Sequence, residues 1–553
     1  MNRRVCAVVI GMFVWSMLNS ALCAQWDREA LHAQAVAESL VPIRPGSPGK
    51  VPFWNVHARR FIHAPAFDLK PVDGATLYRF TAVTKQGERK FEASMPWAPL
   101  APIWKDLPVG RVDLRVEGLD RPGGKVVGHA GERTFYRSAV FHGPYHEPPP
   151  VGYAEAARRG LRDLFLQPHV QRCLIEGATP DVAQYELYRY PSKVMGGVIR
   201  GMVLYSTLAT DPREAKDALR VARSLADFLI GLSQPAGTPL EDWPPTYWKV
   251  NWSSSHVREG NLMTNSPVDA ALGYLDLYDA TKDRKYLEAA TRIAETYRKL
   301  QRPDGTWPLL VRVDAGKAVA PNPLVPTWVI GLMDRLADQY GLERYRPISG
   351  KAFRWVMDHP MKRFNWDGQF EDIKPQEPYS NLAREQACDV ALYLLEHVEH
   401  DAGYLEKAEE LLRFSEDQFV VWEVPDEEEW ALDETRPTEP RQYVARWGTS
   451  GWFAPCVLEQ YSCYAPVARS SAIQISAYRK AYEITGKALY LAKAQSLANA
   501  LIVSQQYHGG GQFPTWVLKS SSVSTWSNNS AYAAMAVYDL GRFLNDRRES
   551  SVR

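Results

Sequence analysis

The chain has 553 residues and carries 65 Lys and Arg against 64 Asp and Glu, so its net charge is close to zero. This length allows two or three domains with a large core, and the balanced charge argues against a nucleic-acid partner, which would require a basic excess. Hydrophobic residues make up 45% of the chain and charged residues 23%, proportions that exclude wholesale disorder.

The N-terminal segment has the pattern of an export signal. Two early arginines precede an apolar run from Val5 to Leu18, and small and polar residues follow up to Ala24. This order predicts a secretory signal over residues 1–24 and a periplasmic or extracellular location. The run is too short for a membrane span, and no later stretch is long enough. A lipoprotein anchor at Cys23 is the less favoured alternative, because Leu22 stands where a lipobox has a small residue.

After an N-terminal segment over residues 25–50, the chain reads as short strands separated by turns. The alternation over residues 76–82 and the apolar pieces further on predict a small β-sandwich over residues 51–147. The stretch over residues 67–80 resembles the first hairpin of a fibronectin type III domain. The resemblance implies an accessory module without chemistry of its own. A Pro-rich linker over residues 148–152 follows.

An internal repeat is the strongest signal in the rest of the chain. The pattern Tyr-Leu-x-x-Ala begins at Tyr286, Tyr404 and Tyr490, with a weaker copy at Tyr345. Tyr286 and Tyr345 are 59 positions apart, as are Tyr345 and Tyr404. Each repeat reads as helix, turn, helix and loop. The longer interval before Tyr490 leaves room for an acidic insertion near residues 425–441, which we expect to be a solvated loop.

The loops between repeats are also similar to one another. A glycine precedes an aromatic residue in Gly305-Thr306-Trp307, Gly368-Gln369-Phe370 and Gly511-Gln512-Phe513. Repeats of this length with long loops favour a closed ring over an open superhelix.

This pattern resembles the (α/α) toroids of the six-hairpin glycosidases and of related polysaccharide lyases and epimerases. The resemblance covers residues 153–545 and leaves a tail over residues 546–553. It implies a mainly α fold, an (α/α) toroid of helical hairpins preceded by the small β-sandwich. In such toroids the inner helices line a cup, and the loops at one rim form the substrate cleft. The fold does not decide the reaction.

A first polar cluster between predicted helices spans residues 242–265. It contains Tyr247, Asn251, His256 and Arg258, and no apolar periodicity explains it. Long loops of this kind are more often functional than idle. His256 is a candidate general acid or base, because its ordinary pKa lies near the working range. The alternative is a histidine that only packs the loop.

A second cluster begins a helix. Arg384 and Glu385 follow a polar run and precede a buried helical stretch. Arg384 suits bidentate recognition of a substrate carboxylate, and Glu385 is a candidate acid or base. The alternative is that Glu385 only favours the positive end of the helix dipole.

Two further clusters combine aromatic and polar residues. Glu459 lies among apolar and aromatic residues, with Trp447 before it and Tyr461 after it, and burial there would suit a general acid. A structural glutamate bonded to the loop backbone is the alternative. Trp516 and Trp526 are candidates for stacking on a sugar ring, although packing in the core explains them equally well.

These features predict an exported carbohydrate-active enzyme with a glycan substrate. The first hypothesis is a glycoside hydrolase, in which two carboxylates flank the scissile bond. Glu385 and Glu459 are the predicted pair, with Asp367 or Glu259 as substitutes. The clustered arginines favour an acidic sugar such as a uronic acid.

Two other hypotheses stay open. A polysaccharide lyase or uronate epimerase would remove the C5 proton with Tyr247, Tyr461 or His256 as the base, while Asn or Arg neutralises the carboxylate. A non-catalytic glycan-binding protein would use the aromatic residues alone. The chain has no P-loop, no G-x-G-x-x-G, no G-x-S-x-G and no H-E-x-x-H, so neither a cofactor nor a resident metal is expected.

Overall fold

The computed structural model describes residues 26–44, 54, 58–249, 260–366, 369, 384–431, 448–459, 466–520 and 525–552. The signal over residues 1–24 lies outside this part. The helices, in chain order, are α1 Arg28–Ser39, α2 Ala101–Trp104, α3 Tyr153–Leu166, α4 Pro168–Gln171, α5 Pro191–Leu208, α6 Pro212–Leu232, α7 Pro267–Thr281, α8 Arg284–Leu300, α9 Thr327–Tyr340, α10 Arg346–Asp358, α11 Pro360–Arg363, α12 Arg384–Glu396, α13 Gly403–Phe419, α14 Glu427–Trp430, α15 Ala468–Thr485, α16 Ala488–Tyr507 and α17 Ser527–Val552.

The strands are β1 Arg60–Phe61, β2 Leu77–Thr84, β3 Gly87–Ala93, β4 Gly110–Leu119, β5 Val126–Arg137, β6 Asn261–Met263, β7 Leu310–Arg312, β8 Val420–Val421 and β9 Cys456–Val457. None of the helices in the described ranges is both long and apolar enough to cross a lipid bilayer.

Twelve of the described helices form a closed double ring. The inner helices α5, α7, α9, α12, α15 and α17 pack against one another in this order, and α17 returns to α5. Their outer partners are α6, α8, α10, α13 and α16, while α3 pairs with α17. The first and last helices of the ring therefore form one hairpin. This arrangement confirms the predicted (α/α) toroid.

The repeated tyrosines lie where outer helices begin, and two of them, Tyr345 and Tyr490, tie their outer helix to the one before it. The hydroxyl of Tyr345 donates to Glu295 on α8 at 2.7 Å. The hydroxyl of Tyr490 donates to Glu409 on α13 at 3.0 Å. A buried hydroxyl favours a partner, and at these two hairpins the sequence repeat coincides with the same type of bond.

The glutamines that end the outer helices also have a repeated role. The side-chain amide of Gln301 donates to the carbonyl of Gly305 in its own loop and to Ile348 in the next outer helix, each at 2.9 Å. Gln505 makes the same two bonds, at 2.6 Å to its own loop and 3.0 Å to α3. The predicted similarity of the loops thus has a physical basis in one shared pair of hydrogen bonds.

Glycines on α5 bring the inner helices close together. A Cβ at Gly196 would lie 2.7 Å from the backbone of Asp269 on α7, and one at Gly197 would lie 2.6 Å from the side chain of Asn528 on α17. Real Cβ atoms do not approach backbone this closely. The two faces of α5 therefore depend on glycine for contact with both neighbours.

We expect Gly196→Ala to destabilise the protein by about 1–3 kcal/mol, because the added methyl group must push α7 away from α5. Gly231→Ala is the matched control. Gly231 lies in α6 with nothing within 4 Å of an added Cβ, so its replacement should leave the protein equally or slightly more stable. Thermal unfolding followed by circular dichroism measures both, and equal Tm values for the two variants would contradict this packing.

The region before the toroid forms a single curled sheet over residues 58–147. The strand order is β1-β5-β4-β2-β3, with β1 parallel to β5 and the other neighbours antiparallel. Val112, Leu114 and Val116 on β4 alternate inward as expected for a half-buried strand. The two-sheet sandwich and its fibronectin type III character are not shown by this sheet.

Aromatic rings from other segments cover the buried face of the sheet. Phe135 on β5 lies 5.5 Å from the ring of Phe67 and 6.0 Å from that of Trp104, and both of these rings lie outside the sheet strands. Trp54 stacks on Phe414 of α13 with the ring centroids 6.0 Å apart. The sequence predicted a second sheet over this face. In the structure an outer helix of the toroid helps to cover it instead.

In the described part of the acidic insertion, residues 425–431, Trp430 packs against the sheet, while Asp426, Glu427 and Glu428 are exposed. Trp430 is buried with its ring 5.1 Å from that of Tyr136 and under the guanidinium of Arg60, 3.7 Å away. The Glu429 carboxylate accepts the backbone N–H of Arg111 at 3.2 Å. A single apolar ring among the acidic residues decides the position of this segment, because its burial outweighs the cost of ordering the chain.

A buried charge cluster joins the N-terminal helix to the outer ring. Lys493 on α16 is 1% exposed and lies 2.7 Å from Glu416 on α13 and 3.1 Å from Glu38 on α1. The hydroxyl of Tyr478 also donates to Glu416, at 2.9 Å. Removal of one partner from such a cluster leaves a buried charge uncompensated, which is strongly destabilising.

Next to this cluster, two buried groups have pKa values shifted by burial. Asp417 accepts the backbone N–H groups of Ile62 at 2.5 Å and His63 at 2.7 Å, yet burial raises its pKa to about 7. Burial likewise lowers the pKa of His63 to about 4. Both groups favour their neutral forms because charge is poorly solvated in this interface.

These two shifts have opposite effects on stability. Between pH 4 and 7 the folded protein binds more protons at Asp417 than the unfolded chain, so this group makes stability fall as the pH rises. Between pH 4 and 6.5 the unfolded chain binds more protons at His63, so that group makes stability rise. In the wild-type protein the two contributions largely cancel.

We therefore expect Asp417→Asn to make stability rise more steeply with pH than in the wild type, by up to about 1.4 kcal/mol per pH unit. His63→Gln should have the reverse effect and make stability fall with pH. Urea unfolding at several values between pH 4.5 and 7.5 tests both variants. Curves that stay parallel to the wild type would contradict the buried titrations.

Candidate functional site

The N-terminal ends of the six inner helices meet at one rim of the toroid and form a cleft. Each helix contributes a polar or aromatic residue from its first two turns to the lining, in ring order Lys193, Asp269, Trp328, Asp389, Arg469 and Asn529. The cleft encloses about 1200 Å³, counting its open mouth. Because the first N–H groups of a helix have no partner within the helix, six such ends favour oxygen-rich or negatively charged ligands.

Asp269 is the most buried carboxylate of the cleft. It occupies the first turn of α7, is 6% exposed, and accepts the hydroxyl of Tyr532 on α17 at 2.9 Å. Burial raises its pKa, while Arg469, the Tyr532 hydroxyl and Lys193 act in the opposite direction. The result is a carboxyl group that holds its proton more strongly than an ordinary aspartate.

Asp389 is half-buried and held by an aromatic donor. The indole N–H of Trp328 on α9 donates to its Oδ2 at 2.7 Å. A donor of this kind stabilises the charged form of a carboxylate and fixes its orientation. Asp269 and Asp389 therefore have different surroundings: the first is buried, and the second is half-buried and bonded to an N–H.

Aromatic rings form one wall of the cleft. Tyr190 and Trp526 are nearly parallel, with their centroids 6.0 Å apart and an interplanar angle of 25°. The ammonium group of Lys193 lies 5.4 Å from the Trp526 ring. Trp516 lines the cleft as well and is half-buried. Half-buried rings such as Trp516 and Trp526 beside polar groups suit a ligand that is apolar on one face and rich in hydroxyl groups at its edge.

The cleft contains a second cation, Arg469. The guanidinium of Arg469 on α15 lies 5.1 Å from the ring of Trp328 and 4.7 Å from that of Tyr532. Contact with two rings, whose planes are 71° apart, restricts the position of the guanidinium. The cleft thus presents both signs of charge at defined positions.

Several residues predicted from the sequence are found at this cleft. Glu459, which follows β9, and Trp516 both line it, as does Trp526. Tyr247 is half-buried with its ring 5.9 Å from that of Tyr190, and its neighbour Thr246 lines the cleft. The structure brings these residues together from loops that are far apart in the chain.

The other predicted residues cannot be placed. Arg384 and Glu385 begin α12, and the next residue, Gln386, lines the cleft, but the two side chains lie outside the described part of the structure. The remaining predicted residues lie outside it entirely, namely Asn251, His256, Arg258, Glu259, Asp367, Trp447 and Tyr461. Their roles stay predictions.

Four charged residues of the cleft were missed by the sequence analysis: Lys193, Asp269, Asp389 and Arg469. Each lies near the start of a helix, where a charged side chain ordinarily serves the helix dipole or the solvated face. The signal that would have found them is their recurrence at equivalent positions of successive hairpins. In the described ranges, no group of three or more His, Cys, Asp or Glu side chains is arranged to hold a metal ion.

No family model matches the sequence, and no curated protein matches it. Solved structures with similar folds include a family 76 glycoside hydrolase from a bovine Bacteroides thetaiotaomicron strain, 10% identical over 84% of this chain and 93% of that chain, with a TM-score of 0.47.

Two further structures are a cellobiose 2-epimerase from Spirochaeta thermophila DSM 6192 and a D-mannose isomerase. The first is 13% identical over 71% of this chain and 97% of that chain, with a TM-score of 0.48. The second is 12% identical over 70% and 97%, also with a TM-score of 0.48. At such identities no residue role can be transferred, so the chemistry of the cleft must be derived from its own side chains.

Proposed function

We propose that the protein is a carbohydrate-active enzyme, a glycoside hydrolase whose active site is the cleft at the N-terminal ends of the inner helices. The observation that carries this proposal is the presence of differently held carboxyl groups beside half-buried aromatic rings in one open cleft. Glycoside hydrolysis requires one carboxyl group that is protonated and one that is ionised.

Asp269 and Asp389 supply this difference. The pKa of Asp269 is raised by burial, which suits a general acid that protonates the leaving oxygen. Asp389 receives the N–H of Trp328, which suits an ionised base or nucleophile. Glu459 lines the same cleft and is the alternative acid that the sequence predicted.

The aromatic wall accounts for substrate binding. Trp516 and Trp526 are half-buried and offer rings on which the apolar face of a pyranose can stack, and Lys193 and Arg469 can pair with a carboxylate on the sugar. An acidic sugar, such as a uronic acid, would use both features together. The proposed substrate is therefore a glycan that includes uronic acid.

Incubation of the protein with a panel of polysaccharides, with and without uronic acid, tests the reaction. Reducing ends should appear without a rise in the absorbance of unsaturated uronides, because hydrolysis leaves no double bond. A protein that binds glycans but releases no product would contradict catalysis and favour the glycan-binding alternative.

Replacement of the carboxylates tests their roles. Asp269→Asn and Asp389→Asn should each lower kcat by about 10²–10⁴-fold, the usual contribution of an acid or base. Asp358→Asn, at the exposed end of outer helix α10, is the control and should keep full activity. Loss of activity in Glu459→Gln with retention in Asp269→Asn would instead make Glu459 the acid.

The bond from Tyr532 predicts a shift in the pH profile. Tyr532→Phe removes a donor that stabilises the ionised form of Asp269, so the pKa of Asp269 should rise further. Activity that needs protonated Asp269 should then persist to higher pH than in the wild type. The pH dependence of kcat measures this, with Tyr538→Phe on the same helix as control. An unchanged alkaline limb would argue against Asp269 as the acid.

Elimination or epimerisation at C5 is the second candidate, because Lys193 and Arg469 can neutralise a uronate carboxylate in the same cleft. Tyr532 is a poor base for it, since burial raises the pKa of its hydroxyl. The predicted bases Tyr247, His256 and Tyr461 would have to act. A rise in the absorbance of unsaturated uronides would favour elimination, and inversion at C5 without cleavage would favour epimerisation.

A further inference from the structure

A second groove lies on the same rim of the toroid, beside the cleft. It is formed by the C-terminal ends of outer helices α3 and α16 and by the start of inner helix α17. Its lining includes Asp163, Gln167, Gln184, Tyr185 and Gln512, and it encloses about 1390 Å³ with its open mouth. None of the proposed catalytic carboxylates lines it, so the reaction does not explain it.

Two chain segments lie between the groove and the cleft and contribute residues to the lining of both. Pro514 lines the groove, and the next two residues line the cleft; similarly Thr525 and Ser527 line the groove, while Trp526 between them lines the cleft. The backbone N–H of Trp526 donates to the Thr515 hydroxyl at 2.5 Å, which joins the two segments. A ligand that leaves the cleft past Trp526 therefore enters the groove directly.

The groove is rich in neutral polar groups. The Asp163 carboxylate accepts the side-chain amides of Gln167 at 3.0 Å and Gln512 at 3.2 Å. None of the residues that line the described groove is Lys or Arg, whereas the cleft has one of each. Amides and a carboxylate suit the hydroxyl groups of an uncharged sugar.

An aromatic ring is fixed in the groove as well. Tyr185 stacks on His169 with the centroids 3.9 Å apart, and its hydroxyl accepts the N–H of Ser527 at 2.8 Å. Burial lowers the pKa of His169 to about 4, so the stack carries no positive charge at neutral pH. The groove thus offers a rigid ring among amides, without the cations that would select an acidic sugar.

We propose that the groove binds further, uncharged glycosyl units of an extended chain whose scissile bond lies in the cleft. The inference rests on the proposed function and deepens it, because it makes the substrate a polymer with neutral residues on one side of the cleaved bond. Binding in the groove adds contacts only for chains long enough to reach it.

The test compares oligosaccharides from two to six units, prepared from a polysaccharide that the protein cleaves. The kcat/KM of the wild type should rise with chain length. The double variant Gln184→Ala/Gln512→Ala should lose about tenfold in kcat/KM on the hexasaccharide, the equivalent of roughly one hydrogen bond, and keep its value on the disaccharide. Gln86→Ala, in the exposed hairpin turn of the sheet, is the control and should match the wild type at every length.

A wild-type kcat/KM that does not depend on chain length would overturn the groove as a binding site and leave the proposed function intact. If no saccharide is cleaved, the proposed function is wrong. Affinity electrophoresis in gels that contain neutral polysaccharides then tests glycan binding by the groove independently of catalysis. Retardation of the wild type that the double variant loses would then support the groove. Equal mobility of the two proteins would overturn it.

Discussion

Closure of the helical ring is the constraint on which the rest of the structure depends. The last inner helix, α17, must fit between α15 and α5 while it pairs with α3 from the start of the toroid. Glycines on α5 allow this approach, because a side chain at Gly197 would meet Asn528 of α17. Once the ring is closed, all six inner helices begin at one rim, and their unbonded N–H groups and first-turn side chains are forced together. The cleft is therefore a consequence of ring closure. Its charged side chains lie where they do because they are in the first two turns of the inner helices, more than because of the loop structure.

The N-terminal region adds to this ring on its outer side. The cluster around Lys493 and the neighbouring Asp417 bind the first helix and the strand entering the sheet to α13 and α16. Such polar interfaces gain little net stability but fix one arrangement of the parts, since each buried group requires its own partner. The cleft lies on the inner helices and contains no residue of this region among the described ones. We infer that the region supports the toroid and leaves the chemistry to the ring.

The helical ring could be predicted from the sequence because its repeats leave local marks. Tyr490 and Gln505 each make a hydrogen bond that has a counterpart in another hairpin, at Tyr345 and Gln301, so the same residue types recur. The residues that cover the sheet could not be predicted, because Trp54 and Phe414 are in contact although they are far apart in the sequence. Among site residues, Glu459 stands out because apolar residues surround it, whereas Asp389 resembles an ordinary helical carboxylate until Trp328 is seen beside it.

The pairing of α3 with α17 also has a consequence for how the chain acquires its structure during synthesis. The helix α3 is made first among the helices of the ring, and its hairpin partner is made last, so its apolar face, with Leu161 and Leu164, has no permanent cover until translation is nearly complete. The other five hairpins can each form as soon as their second helix emerges. During synthesis the ring would thus stay open, with the apolar face of α3 exposed at one end. The final step of folding would be the packing of α17 against that face.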